Sequence, residues 1–344
     1  MKRLLLALLL SALCLSFLPG TALGEDEPER EVHTSGHWEY VLREDGTAEI
    51  TKYTGDVDEL KIPSTLGGYS VTVIGERAFY GCRSLVDVIL PDTVTTICDY
   101  AFFNCLNLAE VVVPESVLSI GGSAFSECHS LAKVTLSDGV LAIGDGAFSN
   151  CYSLTDVSLP YSVTQIGTNP FSGCSQLTTF TVSPDHPVLA LVDGALINKR
   201  DKCLLCYPAG KTDTQYELPQ GIETIETGAF SGCSRLVHIT IPDSVAIPNG
   251  NPFAKCSGLS SFAVSPDHPS LAVIDGVLFS KPDKRLVSYP PEKTDTRYEI
   301  PQGIRIIGDG AFSCCEQLAD ITIPDSVTEI GRSAFASCGS LTGV

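Results

Sequence analysis

The sequence predicts an α/β repeat solenoid: a right-handed coil with a parallel β-ladder, short helical arcs and two β-hairpin insertions. Two observations lead to this prediction. One motif recurs nine times, mostly at intervals of 23 residues, and a longer block of sequence is duplicated. A third observation, an apolar amino-terminal segment, bears on where the protein works. A chain of 344 residues is also long enough to bury a large core.

The amino terminus has the three zones of a secretory signal peptide, over residues 1–24. Lys2 and Arg3 supply the positive start, residues 4–18 form the apolar run, and small residues precede a cleavage site after Gly24. The run is shorter than the roughly 20 residues that cross a bilayer comfortably. We therefore expect a secreted or extracellular protein, either free or associated with the cell surface, with no membrane insertion after signal cleavage.

The charge of the chain excludes one class of partner. The formal net charge is −19, and such a surface repels nucleic-acid phosphates and anionic lipid headgroups. We therefore expect no nucleic-acid partner. The charge leaves the oligomeric state open.

The next two segments precede the repeats. Residues 25–36 are polar and rich in acidic side chains, and we expect an acidic mobile segment there. Residues 37–72 are expected to form an N-terminal β-hairpin cap, because two alternating apolar runs flank Asp45-Gly46. A cap is needed at the end of a solenoid, where apolar side chains and strand edges would otherwise meet water.

The repeat itself occupies residues 73–344. Nine cysteines each follow a phenylalanine by three residues; the phenylalanines are Phe79, Phe102, Phe125, Phe148, Phe171, Phe230, Phe253, Phe312 and Phe335. In the unit of residues 131–151, alternating apolar residues predict a short strand, and Ala147, Phe148 and Cys151 have the spacing of a helical arc. One unit cannot bury its own apolar side, so stacking of units must create the core.

The repeated string resembles the BspA-like, or Treponema-type, leucine-rich repeats. Residues 323–331, IPDSVTEIG, followed by Ala334-Phe335 and Cys338, carry that pattern almost intact. The resemblance implies a leucine-rich-repeat solenoid and a surface or secreted protein, often an adhesin. It implies much less about the ligand.

Two insertions interrupt the repeat, near residues 183–218 and 265–300. They belong to a duplicated block, because 27 of 43 positions are identical between residues 183–225 and 265–307. In each copy two apolar runs flank a polar turn, which predicts a β-hairpin that projects from the edge of the solenoid. The two turns carry six cations, the candidate partner-binding residues: Lys199, Arg200, Lys202, Lys281, Lys284 and Arg285. They could contact an acidic partner, or they could guard hairpin edges against aggregation.

The remaining chemistry-bearing residues favour structural roles. Of the 14 cysteines, the nine in the repeat are expected to be buried thiols rather than disulfides. Cys203 and Cys206 form a C-x-x-C, but on a strand the two thiols would point to opposite faces. His33 and His37 lie in a segment with poor helix-forming residues, so a metal pair is not expected there. We expect no catalytic site, no cofactor and no metal.

The sequence therefore favours a secreted or cell-surface binding or adhesion protein that recognises another macromolecule, most simply a protein of a host or neighbouring cell. The alternative is a carbohydrate-binding or scaffolding module, accessory to an enzyme domain missing from this chain. Residues 341–344 match the start of a further strand, which keeps that alternative open.

Overall fold

The computed structural model describes residues 30–247 and 250–343, which form a β-solenoid of about 12 turns. Each regular turn, or rung, contains a long strand, a two-residue strand and an arc that carries an aromatic side chain. The long strands alternate as the sequence predicts: Val134 and Leu136 are buried, whereas Lys133 and Thr135 are exposed. The buried residues of successive rungs stack into a continuous apolar core.

An antiparallel hairpin starts the fold. The cap contains strands β1 (Val32–Ser35), β2 (Trp38–Leu42), β3 (Ala48–Tyr53), β4 (Glu59–Lys61), β5 (Thr65–Leu66) and β6 (Tyr69–Ile74). At the turn between β2 and β3, the Asp45 carboxylate accepts hydrogen bonds from the Thr47 amide (3.0 Å) and hydroxyl (2.6 Å). Pairing begins earlier than expected, because β1, within the segment expected to be mobile, pairs with β2. The predicted signal peptide lies outside the described residues.

Two rows of parallel strands follow the cap. The long-strand face consists of β4, β7 (Asp87–Ile89), β9 (Glu110–Val113), β11 (Lys133–Leu136), β13 (Asp156–Leu159), β15 (Thr179–Val182), β19 (Gln215–Glu217), β21 (His238–Ile241), β22 (Ser261–Val264), β26 (Arg297–Glu299) and β28 (Asp320–Thr322). The short-strand face contains β8 (Thr96–Ile97), β10 (Ser119–Ile120), β12 (Ala142–Ile143), β14 (Gln165–Ile166), β20 (Thr224–Ile225), β27 (Ile306–Ile307) and β29 (Glu329–Ile330). The register between regular rungs is 23 residues, as in Glu110 opposite Lys133.

The repeated phenylalanines form a column of stacked rings in the core. Adjacent ring centroids from Phe79 to Phe171 are 4.7 to 5.6 Å apart, and their planes differ by no more than 7°. Offset stacking of this kind adds to the free energy gained by removing the rings from water. The column therefore fixes both the spacing and the rotation of neighbouring rungs.

The expectation of short helical arcs is wrong: the arcs are turns, and no α-helix occurs in residues 30–247 or 250–343. The reason lies in the backbone hydrogen bonds. The amides of Phe125 and Glu127 donate to the next rung, to the carbonyls of Ala147 (2.7 Å) and Ser149 (2.8 Å). Amides used between rungs cannot close the bonds to the fourth preceding residue that define an α-helix.

The two predicted hairpins form, but their predicted position is wrong. Their strands are β16 (Leu189–Val192), β17 (Ala195–Asn198) and β18 (Cys203–Cys206) in the first copy, and β23 (Leu271–Ile274), β24 (Val277–Ser280) and β25 (Arg285–Ser288) in the second. They do not project from the solenoid. Leu196 and Leu205 pack into the core of the preceding rungs, whereas Ile197 and Leu204 pack into that of the following rungs. Each hairpin is thus a layer across the core, apolar on both faces.

Each hairpin layer also adds an aromatic residue to the column of stacked rings. A count of the repeated phenylalanines misses these two residues. The Tyr207 amide donates to the Ala229 carbonyl (2.8 Å), and the Tyr207 ring stacks on Phe230 at 5.4 Å. Tyr289 is placed in the same way on Phe312, at 5.3 Å. A sequence signal was present, because Tyr207 precedes Cys233 by the same 26 residues that separate Phe148 from Cys174.

Candidate binding surfaces

The first hairpin turn presents its cations to solvent, as the sequence predicts. Lys199, Arg200 and Lys202 are all exposed. The Asn198 side-chain oxygen accepts the Arg200 amide (3.0 Å) and so shapes the turn. Lys202 forms an ion pair of 2.5 Å with Glu223 of the next rung, which leaves Lys199 and Arg200 as the more available charges.

The second hairpin turn is less cationic than predicted. Lys281 and Lys284 are exposed, and the Lys281 ammonium group donates to the His268 carbonyl (2.5 Å). Arg285 is buried, and its guanidinium group donates to the Ile247 carbonyl (2.6 Å) and pairs with Asp283 (3.3 Å). The expected exposure of Arg285 is therefore wrong, because this residue stands on strand β25, whose side chains are buried on both faces.

The cysteines of the repeat form a column of free thiols beside the phenylalanines. Each interior thiol donates to the carbonyl of the aromatic residue one rung earlier. The Cys151 sulfur lies 3.2 Å from the Phe125 oxygen, and Cys233 and Cys315 donate to the carbonyls of Tyr207 and Tyr289. Burial raises the pKa of the Cys151 thiol well above its ordinary value. Only the end members Cys82 and Cys338 are partly exposed among these nine. The column is thus a packing element made of small, buried thiols.

The C-x-x-C of β18 resembles the repeat cysteines in its environment. Cys203 and Cys206 are both buried, and burial raises the pKa of Cys203 to about 11. Metal binding and disulfide exchange both require a thiolate, which this environment disfavours. In residues 30–247 and 250–343, no group of three or more His, Cys, Asp or Glu side chains could hold a metal ion.

The histidines of the duplicated Ser-Pro-Asp-His-Pro sequence have a defined structural task. The Nδ1 atom of His186 accepts the amides of Val188 (3.2 Å) and Leu189 (2.9 Å), while its Nε2 atom lies 3.2 Å from the Pro160 carbonyl oxygen. His268 makes the matching three contacts. Both rings therefore hold the first hairpin strand to the preceding rung as neutral imidazoles. The amino-terminal His33 lies on β1 against Tyr40, outside any helix.

The long-strand face carries two rows of outward side chains over its first four strands. One row is apolar at its centre: Ile89 is 54% exposed and Val112 is 51% exposed, on adjacent strands β7 and β9. The other row is mainly acidic and contains Glu59, Asp87 and Glu110, followed by Lys133, which pairs with Glu110 at 2.6 Å. Large aliphatic side chains exposed on a rigid sheet beside charges are typical of protein-binding surfaces.

A group of aromatic side chains lies on the arcs, where the sequence analysis found none. Tyr80 is 51% exposed and stacks on Phe103 with ring centroids 5.2 Å apart, and the Arg77 guanidinium carbon lies 5.0 Å from the Tyr100 ring centroid. By contrast, Trp38 packs against Tyr53 in the cap. The sequence signal for this group was an aromatic residue directly next to a repeated phenylalanine.

The sequence matches the family described as BspA type leucine rich repeat region, in six copies over residues 53–187, 210–285 and 292–344. These ranges cover more than half of the chain. The chain belongs to the BspA-type leucine-rich-repeat family. The resemblance inferred from the motif is thus confirmed.

Solved structures agree with this assignment. The chain of this BspA-type protein is 32% identical to a leucine rich cell surface protein from Faecalibacterium prausnitzii, with 92% of this chain and 94% of that chain covered and a TM-score of 0.59. The pneumococcal vaccine antigen PcpA is similar at 20% identity, with 91% and 86% covered and a TM-score of 0.61, which bears on the fold alone. A search of curated proteins found no match.

Within the part of this BspA-type chain that the structure describes, no helix has the length and apolar character needed to cross a bilayer.

Proposed function

We propose that this protein is an extracellular binding module that recognises another protein through the first four strands of its long-strand face. The observation that supports this proposal most directly is the exposure of Ile89 and Val112, each more than half open to solvent on adjacent strands. The stacked rungs of the core support these two side chains from below. The surface is therefore preorganised and loses little entropy on binding. Binding, rather than catalysis, is the proposed role.

The charges around the apolar pair define the partner's chemistry. Glu59, Asp87 and Asp156 are exposed on the neighbouring row, and the whole chain has a net charge of −19. A partner with an apolar contact surrounded by basic side chains is therefore the best match, because complementary charge speeds association and excludes acidic competitors. The hairpin cations Lys199 and Arg200 remain a second proposed contact, suited to an acidic region of the same or another partner.

The test is adhesion of the purified chain to host cells or extracellular matrix. Replacing Ile89 and Val112 together by serine should reduce binding about tenfold or more, because the two side chains form the apolar centre of the surface. Leu118→Ser is the matched control: it removes an aliphatic side chain that is 38% exposed, next to β10 on the short-strand face. Both variants should keep the melting temperature of the parent protein.

A second set of variants tests the hairpin turns. Replacing Lys199, Arg200, Lys202, Lys281 and Lys284 by serine should weaken adhesion mostly at low salt, where exposed charges act over longer distances. Undiminished adhesion by both the aliphatic and the cationic variants, with folding intact, would contradict protein binding by these surfaces.

Carbohydrate binding is the second candidate function, and the Tyr80–Phe103 stack favours it. Sugar rings pack their C–H faces on exposed aromatic rings, and this stack is open to solvent on the arcs. Tyr80→Ala should then abolish retention of the chain on immobilised polysaccharide, while adhesion through the long-strand face stays unchanged. Equal retention of parent and variant would remove this candidate.

A further inference from the structure

Four neighbouring arcs near the cap lie side by side and carry exposed side chains that the core does not use. The amides of Gly81, Asn104 and Glu127 each donate to a carbonyl of the following arc, over 2.8, 2.9 and 2.8 Å. These bonds hold neighbouring arcs close to the usual spacing of about 4.8 Å between hydrogen-bonded strands. The outward side chains of the four arcs therefore form one rigid surface.

The first two of these arcs carry the first ring pair, Tyr80 and Phe103. The ring planes differ by only 13°, yet the centroids are 5.2 Å apart, which exceeds the contact distance of about 3.5–4 Å between carbon atoms. The rings are therefore offset, so part of each face stays open, and Tyr80 is 51% exposed. Gly81, the next residue on the first arc, adds no side chain that could cover the Tyr80 ring.

The next two arcs carry the second ring pair, His129 and Tyr152. Their ring centroids are 4.6 Å apart with planes at 31°, and Tyr152 is 41% exposed. The members of each pair are 23 residues apart, so each pair joins two adjacent rungs. From Tyr80 to Tyr152 the surface extends over three rung intervals, or about 14 Å. Two aromatic contacts thus lie at a fixed distance on one surface.

Polar side chains beside the second ring pair hold each other in place. The Glu127 carboxylate accepts hydrogen bonds from the Asn150 amide group (2.7 Å) and from the His129 Nε2 atom (2.9 Å). The Asn150 side-chain oxygen and the His129 Nδ1 atom make no hydrogen bond in residues 30–247 or 250–343. These two acceptors are therefore oriented and available to a ligand that carries hydroxyl groups.

Open aromatic rings beside oriented polar groups fit one class of ligand best. A sugar ring has an apolar C–H face and a rim of hydroxyl groups, so it can contact an aromatic ring and a polar side chain at once. Arg77 on the first arc already pairs with Glu76 (2.5 Å), and the whole chain, with a net charge of −19, repels acidic glycans. The matching ligand is therefore a neutral glycan.

We propose that the four arcs form an extended binding site for a linear, neutral, β-1,4-linked glycan, with one sugar ring on the first ring pair and another on the second. Such a chain is straight, and its sugar rings repeat at close to the interval between rungs, so consecutive sugars meet consecutive arcs. The inference rests on carbohydrate binding, the second candidate function, and adds to it a glycan class and a second contact.

The test is calorimetric titration of cellobiose and cellohexaose into the whole chain. Cellobiose reaches one ring pair at a time, whereas cellohexaose reaches both, so cellohexaose should bind about tenfold more tightly or better. Tyr80→Ala and Tyr152→Ala should each remove most of that advantage. Tyr161→Ala is the matched control: Tyr161 is 56% exposed in the turn between β13 and β14, outside the arcs, and its loss should leave the affinity unchanged.

Three results would overturn the proposal. Equal affinity for cellobiose and cellohexaose, or equal effects of Tyr152→Ala and Tyr161→Ala, would contradict an extended site with two ring contacts. Hexagalacturonate that binds as tightly as cellohexaose would contradict a neutral glycan.

The two levels of the proposal fail in different ways. Retention on polysaccharide that requires Tyr80 but not Tyr152 would leave carbohydrate binding standing and refute the extended site. A parent chain that binds neither cellohexaose nor immobilised polysaccharide would refute carbohydrate binding itself.

Discussion

The regular rungs between Phe79 and Phe171 and the two hairpin layers bury apolar residues in different ways. In the regular rungs, residues of the same type contact each other: phenylalanine stacks on phenylalanine, and cysteine lies beside cysteine. In the hairpin layers one short strand contacts two different cores, as Leu205 and Leu204 of β18 do. The regular stretch gains stability from repetition, whereas a hairpin layer must satisfy two neighbours at once.

This difference has a consequence for recognition. Repetition makes neighbouring surfaces alike, so the regular stretch offers a flat array such as the Ile89 and Val112 row. The layers interrupt the array and create singular features, such as the exposed cationic turn of Lys199 and Arg200. Affinity and specificity are therefore expected to come from different regions of the molecule.

The largest expected effect concerns the ring column. Phe148→Ala, between two filled rungs, should lower the free energy of unfolding by about 3–5 kcal/mol, because it leaves a cavity that rigid neighbours cannot close. Phe335→Ala should cost clearly less, since Phe335 is only partly buried and stacks on one side, on Phe312. Urea unfolding of both variants measures this, and equal losses would contradict a column that weakens towards its end.

A smaller effect is expected from the hairpin layers, whose contribution to stability should depend on pH. Burial lowers the pKa of His186 and His268, since each fold position accepts only the neutral ring. Their contribution is complete above the ordinary histidine pKa of about 6.5 and is lost as pH falls below it towards the lowered folded-state values. The stability that the two histidines contribute should therefore fall on acidification, and urea unfolding at pH 7.5 and pH 5 measures the loss.

The control for that effect is the double variant His186→Asn, His268→Asn. It should be less stable than the parent at pH 7.5, yet its unfolding midpoint should change less between pH 7.5 and pH 5. A double variant with the parent's full pH dependence would show that other groups, not the hairpin histidines, are responsible.

The smallest effect compares the two copies. The Tyr207 hydroxyl donates to Asp213 at 2.6 Å, whereas the corresponding Tyr289–Asp295 distance is 3.3 Å. Tyr207→Phe should therefore cost about 1 kcal/mol, and Tyr289→Phe less, because the shorter bond to a carboxylate is the stronger one. Thermal unfolding of the two variants is sufficient to rank them; the reverse order would contradict this assignment.

Much of the architecture was predictable from the sequence because it depends on periodicity. The 23-residue spacing fixes which residues stack, and the alternation in β11 fixes which of them face the core. The helical arcs were wrong because the spacing of Ala147, Phe148 and Cys151 also fits a turn, and only the hydrogen bonds to the next rung decide between the two. Such bonds are long-range and leave no local sequence signal.

The candidate sites were predictable only in part. Lys199 and Arg200 are exposed as expected, since a polar turn between apolar strands must meet solvent. The exposure of Arg285 was predicted wrongly because this residue stands at the boundary between the polar turn and a strand that is buried on both faces. A shift of that boundary by one residue decides whether the side chain is exposed. The two ring pairs on the arcs could have been found in the sequence, since the members of each pair are 23 residues apart, but their exposure depends on the path of the arc.

The two-faced hairpin layer also bears on how such a chain can lengthen. A layer accepts a solenoid core on either side, so the block that contains it can be joined to another copy of itself without a new interface being invented. The duplicated residues 183–225 and 265–307 are the product of one such event. Changes in copy number of this block would then alter the reach of the protein in steps, while the cap at one end and the spacing of every rung remain as they were.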